Sequence, residues 1–251
     1  MRIAVAGGTG WAGKLVVAAV SAAGHEPRVL SRSAGVDLTT GRGLTAALDG
    51  VSRVIDASNV TTTNRSKSVA FFGAAAEHLL RAGEAAGIGH HVVLSIVGID
   101  RVGLGYYAGK RRQEELVRGG GVPYTILRTT QFHEFAAQML ALGGPLVLAP
   151  RMRCRPVAVR EVADELVRLA LGDPLGYAPE FAGPEVREMS AMVRQLQRAR
   201  GGRRPVLPVR APGAVGRAMA GGALLPREEN PRGTETFDAW VAAETGGRHG
   251  G

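Results

Sequence analysis

The sequence predicts an α/β protein built on a doubly wound parallel sheet, followed by a smaller C-terminal lobe. Short apolar segments alternate with helical patterns through the first 130 residues, which is typical of successive βαβ units. A glycine-rich loop follows the first apolar segment and precedes the first helical pattern. After residue 130 the alternation weakens, and clusters of Gly and Pro separate shorter helical segments.

Each element is predicted from its hydrophobic periodicity and from the turn residues that bound it. The predicted strands are 2–6, 28–30, 51–57, 91–97 and 124–128. The predicted helices are 11–23, 44–48, 66–86, 107–118, 132–140, 162–171, 189–200 and 234–243. We therefore expect a core over 1–130, a C-terminal portion over 131–245 that is interwoven with it, and a disordered tail over 246–251.

Composition excludes several classes of protein. The chain of 251 residues, 45% of them hydrophobic, is long enough to bury a core without disulfides or a structural metal. The single cysteine, Cys154, excludes a disulfide framework, and no spacing typical of a metal site is present. No apolar stretch reaches about 18 residues, and the first residues lack the pattern of a signal peptide. These observations favour a cytoplasmic protein without a membrane partner.

The net charge of +9 comes almost entirely from arginine, which is densest over 151–160 and 194–217. Neither stretch has interleaved aromatic residues or the pattern of a known DNA-binding motif. We interpret the charge as a solvated basic face, suited to anionic ligands, and expect no nucleic-acid partner. The expected partner is a small-molecule substrate, and the sequence leaves the oligomeric state open.

The glycine-rich loop GGTGWAG fits the spacing GxxGxxG at Gly7, Gly10 and Gly13, and GxGxxG if Gly8 replaces Gly7. After a strand and before a helix, such glycines permit a sharp turn, close approach to a pyrophosphate and tight packing of helix on strand. The helix N-terminus then binds the phosphates. The residues predicted to form this dinucleotide site are Gly7, Thr9, Gly10, Trp11 and Gly13.

The end of the second strand predicts which dinucleotide binds. An NAD site usually has a carboxylate about twenty residues after the glycines, where it accepts hydrogen bonds from the ribose. This chain instead has Ser31, Arg32 and Ser33 there. A guanidinium flanked by hydroxyls suits a 2′-phosphate, so the predicted cofactor is NADP(H).

Several motifs together resemble the short-chain dehydrogenase/reductase superfamily. They are GGTGWAG at 7–13, VLSR at 29–32, VDLTTGRGLTAALDGVSRVIDAS at 36–58 and GVPYTILRTTQFHEF at 121–135. The closest branch is the atypical, NmrA-like one of triphenylmethane-reductase and quinone-reductase type, although Thr129 stands where that branch usually has Pro. The resemblance implies a Rossmann-like fold with a substrate-binding C-terminal lobe. It also implies that Asp37 and Leu38 lie against the adenine, and that Ala57, Ser58 and Asn59 pass the nicotinamide-side ribose.

Three residues resemble the Ser–Tyr–Lys set of short-chain reductases. Ser95 lies near the end of a predicted strand, and Tyr106 and Lys110 are spaced i, i+4 on a predicted helix, so both project to the same side. The resemblance implies that Tyr106 protonates a carbonyl oxygen, Lys110 supports the tyrosine and holds the ribose, and Ser95 polarises the carbonyl. Tyr107 and His133 remain alternatives for the acid.

The predicted substrate residues follow the strand at 124–128, because ligands bind beyond the carboxyl ends of the strands in open α/β sheets. They are Gln131, Phe132, His133 and Phe135. The function that these features favour is NADPH-dependent reduction of a small aromatic or quinone-like carbonyl compound. The alternatives are a non-catalytic NADP(H)-binding redox sensor and a nucleotide-sugar epimerase.

Overall fold

The computed structural model describes residues 1–227 and 233–246, which form two compact units. The first comprises 1–99, 104–128 and 160–179, and the second comprises 100–103, 129–159 and the described residues from 180 onward. In chain order the elements are β1 (Arg2–Ala6), α1 (Trp11–Ala22), β2 (Glu26–Leu30), α2 (Leu44–Ala47), β3 (Arg53–Asp56), α3 (Arg65–Ala85), β4 (His90–Ile96), α4 (Gly105–Gly119), β5 (Tyr124–Thr129), α5 (Phe135–Ala141), β6 (Val147–Pro150), β7 (Arg153–Cys154), α6 (Val159–Leu171), β8 (Gly176–Tyr177), β9 (Arg187–Glu188), α7 (Met189–Ala199), β10 (Val206–Val209), α8 (Gly213–Ala220) and α9 (Phe237–Gly246).

The first unit is built on a six-stranded sheet in the order β2-β1-β3-β4-β5-β8. β1 pairs in parallel with β2 and β3, β3 with β4, and β5 with β8. Helices cover such a sheet on both faces, so its strands are nearly continuous apolar segments. Leu30, Val93 and Ile126 from three strands pack with Leu79 of α3 and Val117 of α4 in one buried cluster. The predicted Rossmann-like α/β fold is confirmed.

The second unit contains two small sheets that were not predicted from the sequence. β6 pairs in parallel with β10, and β7 pairs antiparallel with β9. α7 packs against both strands of the first of these sheets and against α5 and α9. Nowhere in the described chain is a helix both long enough and apolar enough to cross a membrane.

The observed elements differ from the predicted ones mainly at their ends. α5 begins at Phe135 rather than at residue 132, because Phe132 forms a β-bridge with Val157 and the His133 amide donates to the carbonyl of the same residue. α9 begins at Phe237 rather than 234. Residues 160–179, part of the predicted C-terminal portion, belong to the first unit. Of the tail predicted at 246–251, only Gly246 lies within the described residues.

Candidate dinucleotide and catalytic site

The glycine turn after β1 is packed so tightly that side chains are excluded from it. Gly7 has a φ of +74°, and a Cβ there would lie 2.8 Å from both the Ala57 carbonyl oxygen and the Ser58 Cα. A Cβ on Gly13 would lie 2.0 Å from the Gly7 carbonyl oxygen. The end of β1, the residues after β3 and the first turn of α1 are therefore in direct backbone contact.

The outer side of the same turn is open. Thr9, Gly10 and Trp11 are exposed, and Gly10 caps α1 without a side-chain hydrogen bond. A Cβ on Gly10 would meet only the Gly7 carbonyl oxygen, at 3.1 Å. The first N–H groups of a helix have no acceptor within it, and the helix dipole favours an anion at that end. The turn therefore leaves room for an anion at the N-terminus of α1, and binding of a pyrophosphate there stays a prediction.

The residues after β2 present a positive charge to solvent. Arg32 is exposed, and its guanidinium has no hydrogen-bond or ion-pair partner among residues 1–227 and 233–246. The Ser31 and Ser33 hydroxyls lie 3.0 Å apart, within hydrogen-bond distance of each other. The structure therefore leaves Arg32 available to a ligand.

Asp37 and Leu38 make local contacts. The Asp37 carboxylate accepts from the Thr39 amide at 2.9 Å and from the Thr39 hydroxyl at 2.7 Å, and these hydrogen bonds lower the pKa of Asp37. The Leu38 carbonyl accepts from the His78 ring at 3.2 Å. These contacts hold the loop that, by resemblance, lies against the adenine.

The segment after β3 continues the site. Ala57 and Ser58 are buried, whereas Asn59 is exposed. The Ser58 amide donates to Asp56 at 2.9 Å, and the buried Ser58 hydroxyl has no hydrogen-bond partner within the described part of the chain. The Asn59 side-chain oxygen accepts from the Tyr106 hydroxyl at 2.7 Å. Because Ser58 contacts the glycine turn, this hydrogen bond places Tyr106 beside the predicted dinucleotide site.

Close packing of α4 on α3 positions Tyr106. A Cβ on Gly109 would lie 2.2 Å from the Ser68 hydroxyl oxygen, so only glycine permits this approach. That hydroxyl donates to the Tyr106 carbonyl at 2.8 Å, and the Tyr106 ring packs edge-on to Phe72 with centroids 5.7 Å apart. Burial, together with the nearby Tyr107, raises the pKa of Tyr106. The phenol therefore keeps its proton at neutral pH and is in the form that a general acid requires.

Lys110 is directed into the protein. Its ammonium donates to the Leu94 carbonyl and to the Gln113 side-chain oxygen, each at 2.6 Å, and lies 4.7 Å from the centre of the Phe72 ring. Burial lowers the pKa of Lys110 to about 8, against the opposing effect of the Asp56 and Glu114 carboxylates. Tyr106 and Lys110 thus share a side of α4 but reach different depths.

Ser95 belongs to a buried group of polar side chains around Glu114. Its hydroxyl donates to Glu114 at 2.5 Å. The Glu114 carboxylate also accepts two hydrogen bonds from Arg128, at 2.9 and 2.6 Å, and one from the Tyr177 hydroxyl at 3.1 Å. Ser95 is therefore bonded to the same carboxylate that acts on the pKa of Lys110, and the role of Ser95 stays a prediction.

The predicted substrate residues belong to the second unit. His133 is fully buried, its ring contacts the Glu235 carbonyl at 3.0 Å, and it packs against Phe237 and Trp240. Both polar atoms of the Gln131 side-chain amide are buried, and neither has a hydrogen-bond partner in 1–227 or 233–246. Phe132 and Phe135 are half-buried. Substrate contact by these four residues stays a prediction.

Sequence reasoning missed the polar network under the site. The Gln113 side chain is fully buried and donates to Asp56 at 2.7 Å, which links α4 to the end of β3. The signal was present, because Gln113 and Glu114 follow Lys110 by three and four residues and therefore share its side of the helix. Asp56 ends β3 directly after the buried apolar residues Val54 and Ile55.

Comparison with known proteins identifies the class. The fold and the glycine turn are those of dinucleotide-binding proteins. The model of the NAD(P)H-binding family matches residues 7–170, and the chain therefore belongs to the NAD(P)H-binding family. A search of the curated proteins found no match to this sequence.

Solved structures share the fold along almost the whole chain. A short-chain dehydrogenase/reductase superfamily protein from Agrobacterium tumefaciens with bound NAD is 18% identical, with coverage of 99% of this chain and 97% of that one and a TM-score of 0.70. The NADPH-dependent quinone oxidoreductase of Escherichia coli, complexed with NADPH, is 19% identical, with coverage of 96% of this chain and 99% of that one and a TM-score of 0.70. Triphenylmethane reductase from a Citrobacter species is 16% identical, with coverage of 98% of this chain and 99% of that one and a TM-score of 0.73. The predicted resemblance to atypical short-chain dehydrogenases/reductases is confirmed at the level of fold.

Proposed function

We propose that the protein is an NADPH-dependent reductase that transfers hydride to a small aromatic or quinone-like carbonyl compound. The observation that carries the proposal is the hydrogen bond from the Tyr106 hydroxyl to Asn59, next to the segment that contacts the glycine turn. It places a protonated phenol beside the predicted dinucleotide site. The names of the quinone oxidoreductase and the triphenylmethane reductase support the choice of an aromatic acceptor.

The residues present fit a bound NADPH. The N–H groups at the open N-terminus of α1 would donate to the pyrophosphate. The exposed guanidinium of Arg32, which has no partner among the described residues, would donate to the 2′-phosphate. Two of the three N–H donors of Lys110 are taken by Leu94 and Gln113, and we assign the third to the nicotinamide-side ribose. NADPH, when bound, supplies the hydride.

In the proposed mechanism, Tyr106 holds the proton for the substrate oxygen. Asn59 orients the phenol, and the raised pKa of Tyr106 keeps the proton on it until negative charge develops on that oxygen. Phe72 packs between the Tyr106 ring and the Lys110 ammonium, so Lys110 also acts as a positioning residue. Gln113 and Asp56 hold the Lys110 ammonium in place, because the Gln113 side chain accepts from Lys110 and donates to Asp56.

The test is steady-state oxidation of NADPH with a panel of quinones and ketones. Tyr106→Phe removes only the hydroxyl, so we expect kcat to fall by about 10²–10⁴-fold while the NADPH Kd stays near that of the wild type. Tyr107→Phe is the matched control, because it removes a hydroxyl from the adjacent residue, and it should keep the wild-type kcat.

Two outcomes would contradict the proposal. Full activity in Tyr106→Phe with a large loss in Tyr107→Phe would make Tyr107 the acid. Tight NADPH binding without turnover of any acceptor would favour a protein that senses NADP(H) instead of an enzyme.

A further inference from the structure

The topology of the second unit brings the two arginine-dense stretches of the sequence together. β6 and β10 pair with Pro150 opposite Val209, and the Arg151 amide donates to the Val209 carbonyl at 2.7 Å. Arg151 and Arg210 therefore follow neighbouring strand ends, although they lie far apart in the sequence. In the antiparallel pair of β7 and β9, Arg153 lies opposite Glu188.

A cavity of about 390 Å³ opens among these residues. Four of the side chains that line it are arginines, and its remaining polar side chains come from the start of α7. They are Arg151, Arg153, Arg194, Arg210, Glu188 and Ser190. None of the residues that line it, all within the described part of the second unit, is aromatic.

Among the described residues, the carboxylate that lines this cavity, that of Glu188, balances only part of the positive charge of the four arginines. Within residues 1–227 and 233–246, none of the four guanidinium groups forms an ion pair with a carboxylate, and the only hydrogen bond among them runs from Arg194 to the Ser190 hydroxyl at 3.0 Å. Like charges gathered in a recess with low-dielectric walls raise the local concentration of anions. The cavity is therefore built to attract a negatively charged group.

Glu188 is engaged by the helix that it caps. One of its carboxylate oxygens accepts from the Ala191 amide at 3.2 Å and from the Ser190 hydroxyl. The other oxygen is buried and has no hydrogen-bond partner among the described residues. Glu188 is therefore held against its own helix, and the cavity offers the four guanidinium groups as donors to a ligand.

We propose that this cavity binds a small phosphorylated molecule, with the arginines on its phosphate oxygens. A guanidinium pairs with phosphate through two parallel hydrogen bonds, and several arginines match the several charges of such a ligand. A recess of this size without aromatic side chains suits a small anion better than a nucleic-acid strand, whose bases would need stacking partners. The site shares no residue with the proposed NADPH site and stands whether or not the protein is a reductase.

The test is calorimetric titration of the full chain with inorganic pyrophosphate. NADPH is kept saturating, so that the glycine turn is occupied and cannot bind the probe. The double variant Arg151→Gln/Arg210→Gln removes two of the four guanidinium groups, and we expect its pyrophosphate Kd to rise at least about tenfold, since each charged hydrogen bond contributes this much or more. The NADPH Kd should not change.

The matched control is Arg217→Gln/Arg227→Gln, which lowers the net charge equally through two exposed arginines that do not line the cavity. It should leave pyrophosphate binding within about twofold of wild type at fixed ionic strength. An equal loss in both double variants would show that pyrophosphate binds through the overall positive charge of the protein, and it would overturn the proposal. The proposal would also be overturned if the wild type did not bind pyrophosphate, or if it bound only a single-stranded oligonucleotide. Thermal unfolding checks that each variant is folded, and the single variant Arg151→Gln replaces the pair if the pair is not.

Discussion

The glycine turn and the first turns of α4 lie on the same candidate site, yet different forces determine their geometry. In the turn, backbone atoms of different segments are in direct contact, because a Cβ on Gly13 would lie only 2.0 Å from the Gly7 carbonyl oxygen. On α4, side chains find partners from other elements: Tyr106 bonds to Asn59, whereas Lys110 bonds to Leu94 on β4. The first arrangement depends on residues that lack side chains, and the second depends on which partners long polar side chains meet.

This difference explains why glycine spacing is informative and polar spacing less so. A steric requirement for glycine follows from local chain geometry, so the motif at 7–13 was sufficient to predict the turn. The i, i+4 spacing of Tyr106 and Lys110 correctly predicts one side of a helix. The spacing does not predict how deeply the Lys110 side chain is buried. Its burial depends on Phe72, Gln113 and Asp56, which come from three different elements.

The largest expected effect is at the glycine turn. Gly13→Ala places a methyl group within the backbone of residues 7 and 8, which cannot move without shifting the end of β1. We expect the free energy of unfolding to fall by about 3 kcal/mol or more, at the upper end of overpacking effects. Urea unfolding at pH 7 measures this value.

Gly10→Ala is the matched control for that variant. Its Cβ would lie 3.1 Å from the Gly7 carbonyl oxygen and near no other atom, so we expect a loss below about 1 kcal/mol. Equal losses in the two variants would mean that the turn relaxes freely. The proposed contrast between backbone-determined and side-chain-determined geometry would then be wrong.

Much of the fold followed from the sequence, and most errors lay where distant segments meet. Strands β1 to β5 of the sheet in the first unit were predicted, because each contains consecutive apolar residues between turn residues. β8 of the same sheet was missed, since it has only two residues. The pairs β6–β10 and β7–β9 were missed, since strands of two to four residues have little periodicity and their partners are far along the chain. For the same reason the sequence indicated neither the bond from Ser95 to Glu114 nor the packing of His133 against Phe237.

The next effect concerns the exposed end of the dinucleotide site, where a single side chain is expected to decide the cofactor. Arg32→Ala should raise the NADPH Kd by about tenfold to a hundredfold, because a charged hydrogen bond contributes about 1.5–3 kcal/mol. NADH lacks the 2′-phosphate, so its Kd should stay close to that of the wild type. Fluorescence titration with both cofactors measures the two values.

Arg81→Ala is the control, because it removes an equally exposed arginine from α3 and should change neither Kd. Equal weakening of NADPH and NADH in Arg32→Ala would contradict NADP(H) specificity. Arg32 would then contact a group that NADPH and NADH share, and not the 2′-phosphate.

The last test addresses the α4 side of this comparison, and it depends on the buried ammonium of Lys110. Folding lowers the pKa of Lys110 from 10.5 to about 8. Between these values the unfolded chain holds a proton that the folded chain has lost, so this residue makes stability rise with pH in that window. Below pH 8 both states are protonated, and its contribution is constant.

Other groups act in the opposite direction. Burial raises the pKa values of Tyr106, Cys154 and Tyr177, so above about pH 9 the unfolded chain loses those protons first and stability falls. The wild-type profile alone therefore mixes the contributions. The informative quantity is the unfolding free energy of the wild type minus that of Lys110→Met, in which the contributions of these groups cancel.

This difference should grow between pH 8 and 10.5 by up to about 1.4 kcal/mol per pH unit, the value for one proton. Urea unfolding at half-unit intervals from pH 7 to about 10.5 would measure it. A flat difference would mean that Lys110 keeps its ordinary pKa and that its ammonium reaches solvent, as Arg32 does. A rising difference would mean that burial beside Phe72 and the bonds to Leu94 and Gln113 persist in solution, and that the spacing of Tyr106 and Lys110 joins a half-buried phenol to a buried cation.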